Sequence, residues 1–388
     1  MFRDFSLRAR RMSRNKQFDY LDGQNLVPNI NDLLSPELLL KIFSYLSDRN
    51  EISLRILPVC MLWYKIGNDG SLWKSLEFAQ QTISIQKRVM EKIKLKGHFF
   101  RSITLKNFQS SDEVEAIINE IIKSCKSSLL EIRMFNCKLN STMTLANLGK
   151  GCSKIRSLCL VRCDSSYRRS NHYRAAYMKD ASFLSTFKNL NTLCLFRVLP
   201  PASLSFDDAK MITHLGGGSI KHLFLNCDFF GRGIRLIISE MSQTLEGLWL
   251  GGTNYNDALC QEISKCIRLR NLCLRQAQNI TEIGIKSLGK LNTLEKLMLF
   301  NISKLSESSL KFFVMSESDC GFKQSLRYMN LSGAKFYKLG RNNHHDDIDE
   351  HDKLILRNTI IACCPNVVHV VIDDELVSLF YFNYHTFW

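Results

Sequence analysis

Thiols and imidazoles are the most reactive side chains of this sequence, whose 388 residues include 14 cysteines and 9 histidines. Closely spaced cysteine pairs would indicate a zinc site, but no Cys-x-x-Cys unit occurs. The cysteines are scattered among apolar residues, which predicts buried thiols and neither a metal centre nor a disulfide framework. Three histidines and five acids are concentrated in segment 338–353, where no pattern of supporting residues favours a metal site.

Motifs for catalysis or for cofactor binding are absent from the sequence. It contains no phosphate-binding glycine loop, no Gly-x-Ser-x-Gly elbow and no His-Glu-x-x-His unit. The glycine run 216–218 precedes a predicted strand and does not link a strand to a helix, so a turn is the simpler interpretation. The sequence therefore predicts a protein that is not an enzyme and needs no cofactor.

The charge balance is strongly basic, with 52 lysines and arginines against 37 aspartates and glutamates, a net charge of +15. Six basic residues and one acid fall within residues 1–16, so residues 1–30 are expected to be a solvated, disordered tail. A nuclear-import or phosphate-binding segment and a transit peptide stay open as alternatives. No apolar run approaches the roughly 18 residues of a membrane span, which predicts a soluble protein of the cytoplasm or nucleus.

A compact helical unit is predicted near the N-terminus. Ser35 is a plausible N-cap, Pro36 stands at the first helical position, and Glu37 lies at the positive end of the helix dipole. A broad apolar stripe follows over 38–46. Residues 48–51 resemble a capping box for a short second helix that Pro58 must break, and a third helix is predicted from Val59 to Ile66. About 40 residues cannot bury so much apolar surface alone, so the unit must dock onto something.

These residues resemble the F-box. The matching pieces of the family pattern are Leu34-Ser-Pro-Glu-Leu38, Ile42-Phe43-Ser-Tyr-Leu46, Val59-Cys60-Met-Leu-Trp63 and Leu72-Trp73. Two positions depart from the pattern: Ser35 stands where the family usually has proline, and Met61-Leu62 replaces a pair that is commonly basic.

The resemblance implies that the unit binds the Skp-type adaptor of cullin-based ubiquitin ligases through its apolar face. Charged substitutions at Ile42 and Trp63 are then expected to abolish adaptor binding and to leave the rest of the chain folded. The alternative is an internal helical subdomain that packs only on this chain. The residues that the resemblance assigns to the adaptor interface are Leu34, Pro36, Glu37, Leu38, Ile42, Leu46, Val59, Cys60 and Trp63.

From residue 100 onward one spacing of apolar residues recurs ten times, as in Phe100/Ile103/Leu105 and Leu245/Leu248/Leu250. The repeats follow each other at steps of roughly 25 residues with insertions, which indicates a leucine-rich-repeat solenoid. Each strand should be followed by a helix on the other face, as predicted for residues 111–122 and 256–263, because parallel strands need a crossover. The cysteine positions resemble the cysteine-containing subtype of this repeat.

The predicted fold class is α/β: a three-helix F-box followed by a curved leucine-rich-repeat solenoid with a parallel sheet on its concave face. We expect a tail over 1–30, the F-box over 31–78, the solenoid over 79–375 and an aromatic tail over 376–388. This order resembles the F-box and leucine-rich-repeat receptors of Skp-cullin-F-box ubiquitin ligases. The resemblance implies a substrate-recognition subunit that reaches cullin and RING subunits through its adaptor and commits a target protein to proteasomal degradation. The alternative is a nucleic-acid-binding or scaffolding repeat protein without ligase function.

Alternate residues of each strand should point out of the concave sheet and form an exposed apolar patch that binds a target protein. An acidic or a phosphorylated target stays open. The aromatic residues of 380–388 would cap the last repeat, cross the concave face or join the target site. The insertion 165–179 holds four basic residues, three tyrosines and no acid, which suits an acidic partner or RNA, or else a solvated loop. The predicted target-binding residues are Phe196, Phe224, Trp249, Cys273, Met298 and Phe300.

Overall fold

The structure is a computed structural model. None of the helices that it describes is long and apolar enough to cross a membrane. The residues that it describes are 30–46, 56–79, 84–163, 181–196, 198, 206–226, 231–252, 255–276, 279–300, 305–306, 321–332, 336–339, 345–347 and 350–372. The predicted N-terminal tail except Ile30, the capping box, the basic insertion and the aromatic tail lie outside these ranges, as does much of segment 338–353.

Among the described residues, three helices and a 3-10 turn form the N-terminal unit: α1 (Ile30–Leu33), α2 (Pro36–Ser44), α3 (Met61–Gly67) and the turn Gly70–Trp73. The start of α2 is as predicted, because the Ser35 hydroxyl accepts a hydrogen bond from the Leu38 amide at 3.4 Å. The third helix starts later than predicted. Cys60 precedes it as the N-cap, its sulfur accepting from the Trp63 amide at 3.5 Å, and Val59 lies in the preceding turn.

Eleven parallel strands then form one sheet in which neighbours follow in chain order, so the predicted solenoid fold is confirmed. Its strands are β1 (Ser75–Ala79), β2 (Ser102–Lys106), β3 (Glu131–Phe135), β4 (Ser157–Val161), β5 (Thr192–Phe196), β6 (His222–Asn226), β7 (Gly247–Gly251), β8 (Asn271–Arg275), β9 (Lys296–Phe300), β11 (Tyr328–Asn330) and β14 (His369–Val371). A small separate sheet contains β10 (Leu305–Ser306), β12 (Phe336–Leu339) and β13 (His345–Asp347). Strand β1 was not among the ten predicted repeats, and all of it except Ala79 lies inside the range assigned to the F-box.

Helices connect successive strands on one face of the sheet. The predicted helices over 111–122 and 256–263 are present. The helices are α4 (Ser84–Lys96), α5 (Ser111–Cys125), α6 (Thr142–Gly151), α7 (Phe206–Thr213), α8 (Gly231–Met241), α9 (Asp257–Ile263), α10 (Glu282–Leu288) and α11 (Glu350–Cys363). Short 3-10 helices occupy Gly97–Phe99, Ser182–Thr186, Leu215–Gly218 and Gly321–Gln324.

A single hydrophobic core fills the space between the sheet and these helices and continues into the N-terminal unit. It begins with Leu39 and Phe43 on α2 and extends to Val370 on the last strand. Most of the described cysteines are buried, and those described have free thiols, as predicted. Thiols also satisfy backbone groups: the sulfur of Cys137 lies 3.5 Å from the Leu105 carbonyl oxygen, and that of Cys163 lies 3.4 Å from the Met134 carbonyl oxygen.

Successive repeats are also tied together by polar contacts between neighbouring helices. The Asp257 carboxylate on α9 accepts hydrogen bonds from the Thr281 amide at 2.7 Å, the Thr281 hydroxyl at 2.6 Å and the Gly284 amide at 3.0 Å. Thr281 is the N-cap of α10 and Gly284 lies in its first turn, where the backbone donors have no partner within the helix. Asp257 therefore caps the helix of the next repeat.

Replacing Asp257 by alanine should lower the free energy of unfolding by about 2 kcal/mol, because it removes a charged acceptor from two amides and a hydroxyl. Asp257→Asn keeps one acceptor oxygen and should cost about half as much. Urea denaturation of both variants measures the difference. Equal stability of wild type and Asp257→Ala would show that this contact does not couple the repeats.

Candidate functional site

The N-terminal unit presents one apolar surface that its own core does not use. Helix α2 buries Leu39 and Phe43 in the core, while Leu38 and Ile42 on its other side remain 52% and 47% exposed. Val59, from the turn before α3, is also exposed, as are Pro36 and Glu37 at the start of α2. We call this group of five exposed predicted residues the F-box face.

The other four predicted adaptor residues lie deeper and support this surface from behind. Leu34, Leu46 and Trp63 are half-buried and pack against the core. The Trp63 ring meets Phe43 edge-on with a centroid distance of 5.2 Å, and its indole N–H donates to the Asn31 side-chain oxygen at 2.6 Å.

The half-buried fourth residue, Cys60, serves as the N-cap of α3. Together these contacts hold α1, α2 and α3 in fixed positions. These four half-buried residues therefore support the F-box face from behind and add little exposed surface to it.

Further exposed apolar side chains on the same helices were not predicted as adaptor residues. Tyr45 follows the end of α2, and Met61 and Tyr64 lie on α3. Ile30 and Leu33 on α1 are also exposed. Met61 belongs to the pair that replaces commonly basic residues of the family pattern, and this departure in the sequence could have identified it.

The N-terminal unit is joined to the solenoid through Trp73. The indole is buried and donates to the Gly67 carbonyl oxygen at 2.9 Å. The Lys96 ammonium from α4 lies 3.7 Å from the indole ring centroid and donates to the Asn68 side-chain oxygen at 2.7 Å. Burial lowers the pKa of Lys96 to about 8, whereas the electron-rich ring face favours its charged form. This contact fixes the F-box face relative to the first repeats.

The second candidate surface is the sheet face opposite the helices, which we call the concave face. Alternation along each strand places three columns of side chains there. The central column follows from the strand register and contains Glu77, Thr104, Arg133, Cys159, Cys194, Phe224, Trp249, Cys273, Met298, Asn330 and Val371. The predicted residues Phe196 and Phe300 lie in the adjacent column.

Charged and polar residues occupy the N-terminal part of the concave face, over strands β1–β4. Glu131 accepts hydrogen bonds from the Ser102 hydroxyl at 2.8 Å and the Ser157 hydroxyl at 3.3 Å, and it forms an ion pair with Arg133 at 2.7 Å. Lys106 and Glu77 form a second ion pair. This part of the face suits polar contacts with a partner.

Over strands β4–β9 the central column of the concave face is apolar, and we call this stretch of the column, together with Phe196 and Phe300 beside it, the apolar half. The prediction that its residues are exposed is wrong for four of the six: Phe224, Cys273, Met298 and Phe300 are buried. Phe196 and Trp249 are half-buried, with their ring centroids 5.7 Å apart across the intervening strand. Apolar side chains on strands about 4.8 Å apart cover each other's flanks, so correct placement on this face does not make them accessible.

Thiols within the apolar half are packing groups. Cys159 and Cys194 pair directly across β4 and β5, and a hydrogen bond between their thiols, together with burial, raises the pKa of Cys194 well above its ordinary value. Burial likewise raises the pKa of Cys273. A neutral thiol is a poor nucleophile and a poor metal ligand, so Cys194 and Cys273 serve in packing. Within the described ranges there is also no group of three or more metal-ligating side chains.

His222, at the edge of the apolar half, should make the free energy of unfolding depend on pH. It lies in the same strand as Phe224, and burial lowers its pKa from 6.5 to about 4, with Glu246 acting in the opposite direction. The folded chain therefore holds this imidazole neutral at pH 7. Since the unfolded chain takes up a proton from about pH 6.5 downward, the free energy of unfolding should fall as the pH is lowered from 6.5 towards 4.

Chemical denaturation at several pH values between 7.5 and 4.5 measures this loss. His222→Gln should flatten the curve between pH 6.5 and 4.5, and the carboxylates should cause losses mainly below that window. An unchanged slope in His222→Gln would mean that other groups cause the pH dependence.

Comparisons with known proteins agree with this architecture. Residues 36–79 match the F-box-like family. No curated protein matches the sequence significantly. Among solved structures, a chain of the crystal structure of the Rad7 and Elc1 complex in yeast is similar, with a TM-score of 0.52 and 13% identity over 88% of this chain and 86% of that chain. At this identity the likeness concerns the fold.

Proposed function

We propose that this F-box and leucine-rich-repeat protein is the substrate-recognition subunit of a Skp-cullin-F-box ubiquitin ligase. The F-box face would bind the Skp-type adaptor, and the solenoid would bind the target protein. Cullin and RING subunits would be recruited through the adaptor, in the cytoplasm or nucleus, and would direct transfer of ubiquitin to the target. Degradation of the target by the proteasome would follow.

The observation that carries this proposal is the exposed apolar surface of the F-box-like unit. Leu38, Ile42 and Val59 are about half exposed or more, next to a core that is otherwise well buried. A cluster of large exposed apolar side chains on a small unit is typical of a protein interface. Its position within the segment that matches the F-box-like family supports a Skp-type adaptor as the partner.

The chemistry of the chain fits a protein that recognises a target and leaves ubiquitin transfer to its partners. The repeats offer a long sheet face with a charged end and an apolar end, which suits recognition of a protein surface. The buried thiols described above offer no activated nucleophile. The predicted target-binding residues Phe196 and Trp249 remain partly accessible on the concave face and are the members of that group best placed to contact a target.

Co-purification with a purified Skp-type adaptor tests the proposal. The full-length chain and the adaptor should elute together from a size-exclusion column as a complex of one copy each, and the elution should be insensitive to moderate salt because the contact is apolar. Separate elution at micromolar concentrations of both proteins would contradict an adaptor-binding role. The chain would then be a repeat protein whose F-box-like unit serves no ligase.

A further inference from the structure

One edge of the eleven-stranded sheet carries a row of exposed basic residues. In each repeat the residue just before the strand lies at this edge, and its backbone amide donates to the carbonyl oxygen of the equivalent residue one strand earlier, at 2.7–2.9 Å. This ladder continues without a break from β1 to β14, so the backbone fixes the row. The basic members of the row, which we call the basic rim, are all exposed; they are Lys74, Arg101, Arg156, Lys221, Arg270 and Arg327.

From β2 onward the members of the basic rim recur on every second strand. They precede β2, β4, β6, β8 and β11, which alternate in the sheet with β3, β5, β7 and β9. At about 4.8 Å per strand, successive members are attached about 10 Å apart, and the row from Arg101 to Arg327 is about 38 Å long. These positions are exposed and belong to different repeats, so neither packing nor local sequence requires a base at them.

Ion pairs between neighbouring repeats explain only two members of the basic rim. Lys221 pairs with Glu246 at 2.7 Å and Arg270 pairs with Glu295 at 3.0 Å, each across adjacent strands, and the two basic side chains remain 50% and 61% exposed. The other four members form no ion pair within the described ranges. Their charges are therefore available to an external partner of opposite sign.

We propose that the basic rim binds the phosphate backbone of single-stranded nucleic acid. A nucleic-acid strand carries a phosphate on every nucleotide, so it can meet evenly spaced cations along the whole row. A folded acidic protein would have to present carboxylates at the same regular spacing. In the middle of the row the residues between the bases, Asn191 and Glu246, are polar, so the row lacks the apolar centre of a typical protein interface.

Two features favour a single strand over a duplex. A single strand is flexible and can follow the edge of a solenoid, whereas duplex DNA is stiff, with a persistence length of about 50 nm. Next to Arg327 the rings of Tyr328 and His369 are stacked, with a centroid distance of 5.7 Å and an interplanar angle of 17°, and His369 is exposed. Exposed rings of this kind offer a surface on which an unpaired base can stack.

A strand bound along the basic rim would lie beside the concave face. A target held on that face would then be next to the nucleic acid. The basic rim is separate from the F-box face, so the inference does not depend on the proposed ligase function.

Fluorescence anisotropy of the full-length chain with labelled 20-nucleotide oligo(dT) and oligo(U) tests the proposal. The logarithm of the association constant should fall with the logarithm of the salt concentration with a slope between about −2.8 and −4.2, for four to six phosphate contacts at about −0.7 each. Replacing Arg101, Arg156 and Arg327 together by glutamine should weaken binding at least about tenfold at 100 mM salt and make the slope shallower by about 2. Such binding of either oligonucleotide supports the proposal, and the ratio of the two affinities identifies DNA or RNA as the preferred strand.

A matched variant controls for the loss of net charge. Lys41, Lys286 and Arg357 are exposed on α2, α10 and α11, and replacing all three by glutamine removes the same charge outside the row. The affinity of this control should stay within about threefold of wild type. Circular dichroism checks the fold of both triple variants.

Several results would overturn the proposal. An equal loss in the two triple variants, or unchanged binding by the rim variant, would show that the basic rim is not the binding surface. A 20-base-pair duplex that binds as tightly as the single strands, or poly-glutamate that competes equally well at equal charge, would indicate a different class of partner. No binding of either oligonucleotide at 50 mM salt would exclude the contact altogether. The assay contains no adaptor, so it remains informative if the ligase role fails.

Discussion

Replacing both Leu38 and Ile42 by glutamate is expected to abolish binding of a Skp-type adaptor and to leave the solenoid folded. Both side chains are about half exposed, so the folded chain can hold a glutamate at either position in water. In the complex each glutamate would be buried against an apolar partner without a counter-charge, which is strongly unfavourable. Residues at the centre of an interface commonly contribute 2 kcal/mol or more, so each single substitution should weaken binding by about 30-fold or more.

A matched control exists within the same chain. Leu354 on α11 has the same exposure as Leu38, 52%, but lies in the last described repeat. Leu354→Glu makes the same chemical change far from the F-box face, so adaptor affinity should stay within twofold of wild type. Isothermal titration calorimetry measures affinity, and circular dichroism checks the fold. Full adaptor binding by the double variant would show that the F-box face is not the interface.

The structure also changes which substitutions are informative. The sequence alone suggested charged residues at Ile42 and Trp63, with the remaining chain left folded. Trp63 is half-buried, packs on Phe43 and donates to Asn31. A charge at Trp63 would disrupt the packing of α1, α2 and α3, so a loss of adaptor binding there would report unfolding of the unit and not removal of a contact.

Motif spacing was sufficient to predict the two parts of the fold. Helix α2 is defined by a cap, a proline and an apolar stripe that act locally, and the repeat strands by a regular apolar spacing, so neither prediction needed long-range information. Strand β1 was missed because it contributes only Leu76 and Phe78 to the apolar pattern and begins two residues after Trp73, the end of the last matching piece of the F-box pattern. Strand β1 pairs with β2, and five residues of sequence alone do not reveal a pairing with a strand so far along the chain.

The accessibility of the concave face could not be predicted in the same way. Alternation along a strand determines which face a side chain occupies, and the register confirms that Phe224, Trp249 and Cys273 share the central column. Whether such a side chain meets solvent depends on neighbours that are distant in sequence. Cys273, for example, lies between Trp249 and Met298 on adjacent strands, and two large neighbours can bury a small side chain completely.

The F-box-like unit and the solenoid share one core, which contains Trp73. Substitution of Trp73 is expected to have the second large effect, a loss of stability. Its indole is buried, donates to the Gly67 carbonyl oxygen and lies beneath the Lys96 ammonium from α4. Phe99, from the turn before β2, lies against Gly70. The core that contains Trp73 also contains Leu39 of the F-box-like unit and Ile103 of the solenoid. The two parts should therefore unfold together.

Trp73→Ala should lower the free energy of unfolding by about 3–5 kcal/mol, because it leaves a cavity, removes a hydrogen bond and leaves the Lys96 ammonium without its aromatic partner. Trp73→Phe keeps an aromatic ring over the same site but loses the N–H donor, so it should cost about 1–2 kcal/mol. Urea denaturation gives the two values, and hydrogen exchange should show faster exchange in both α3 and β2 of the alanine variant.

If exchange increased in α3 alone, the F-box-like unit would be an independent module, and deleting it would be a valid control for adaptor binding. If it increased in both, as the common core predicts, deletion would also disturb the repeats, and the point substitutions on the F-box face would be the cleaner test of function.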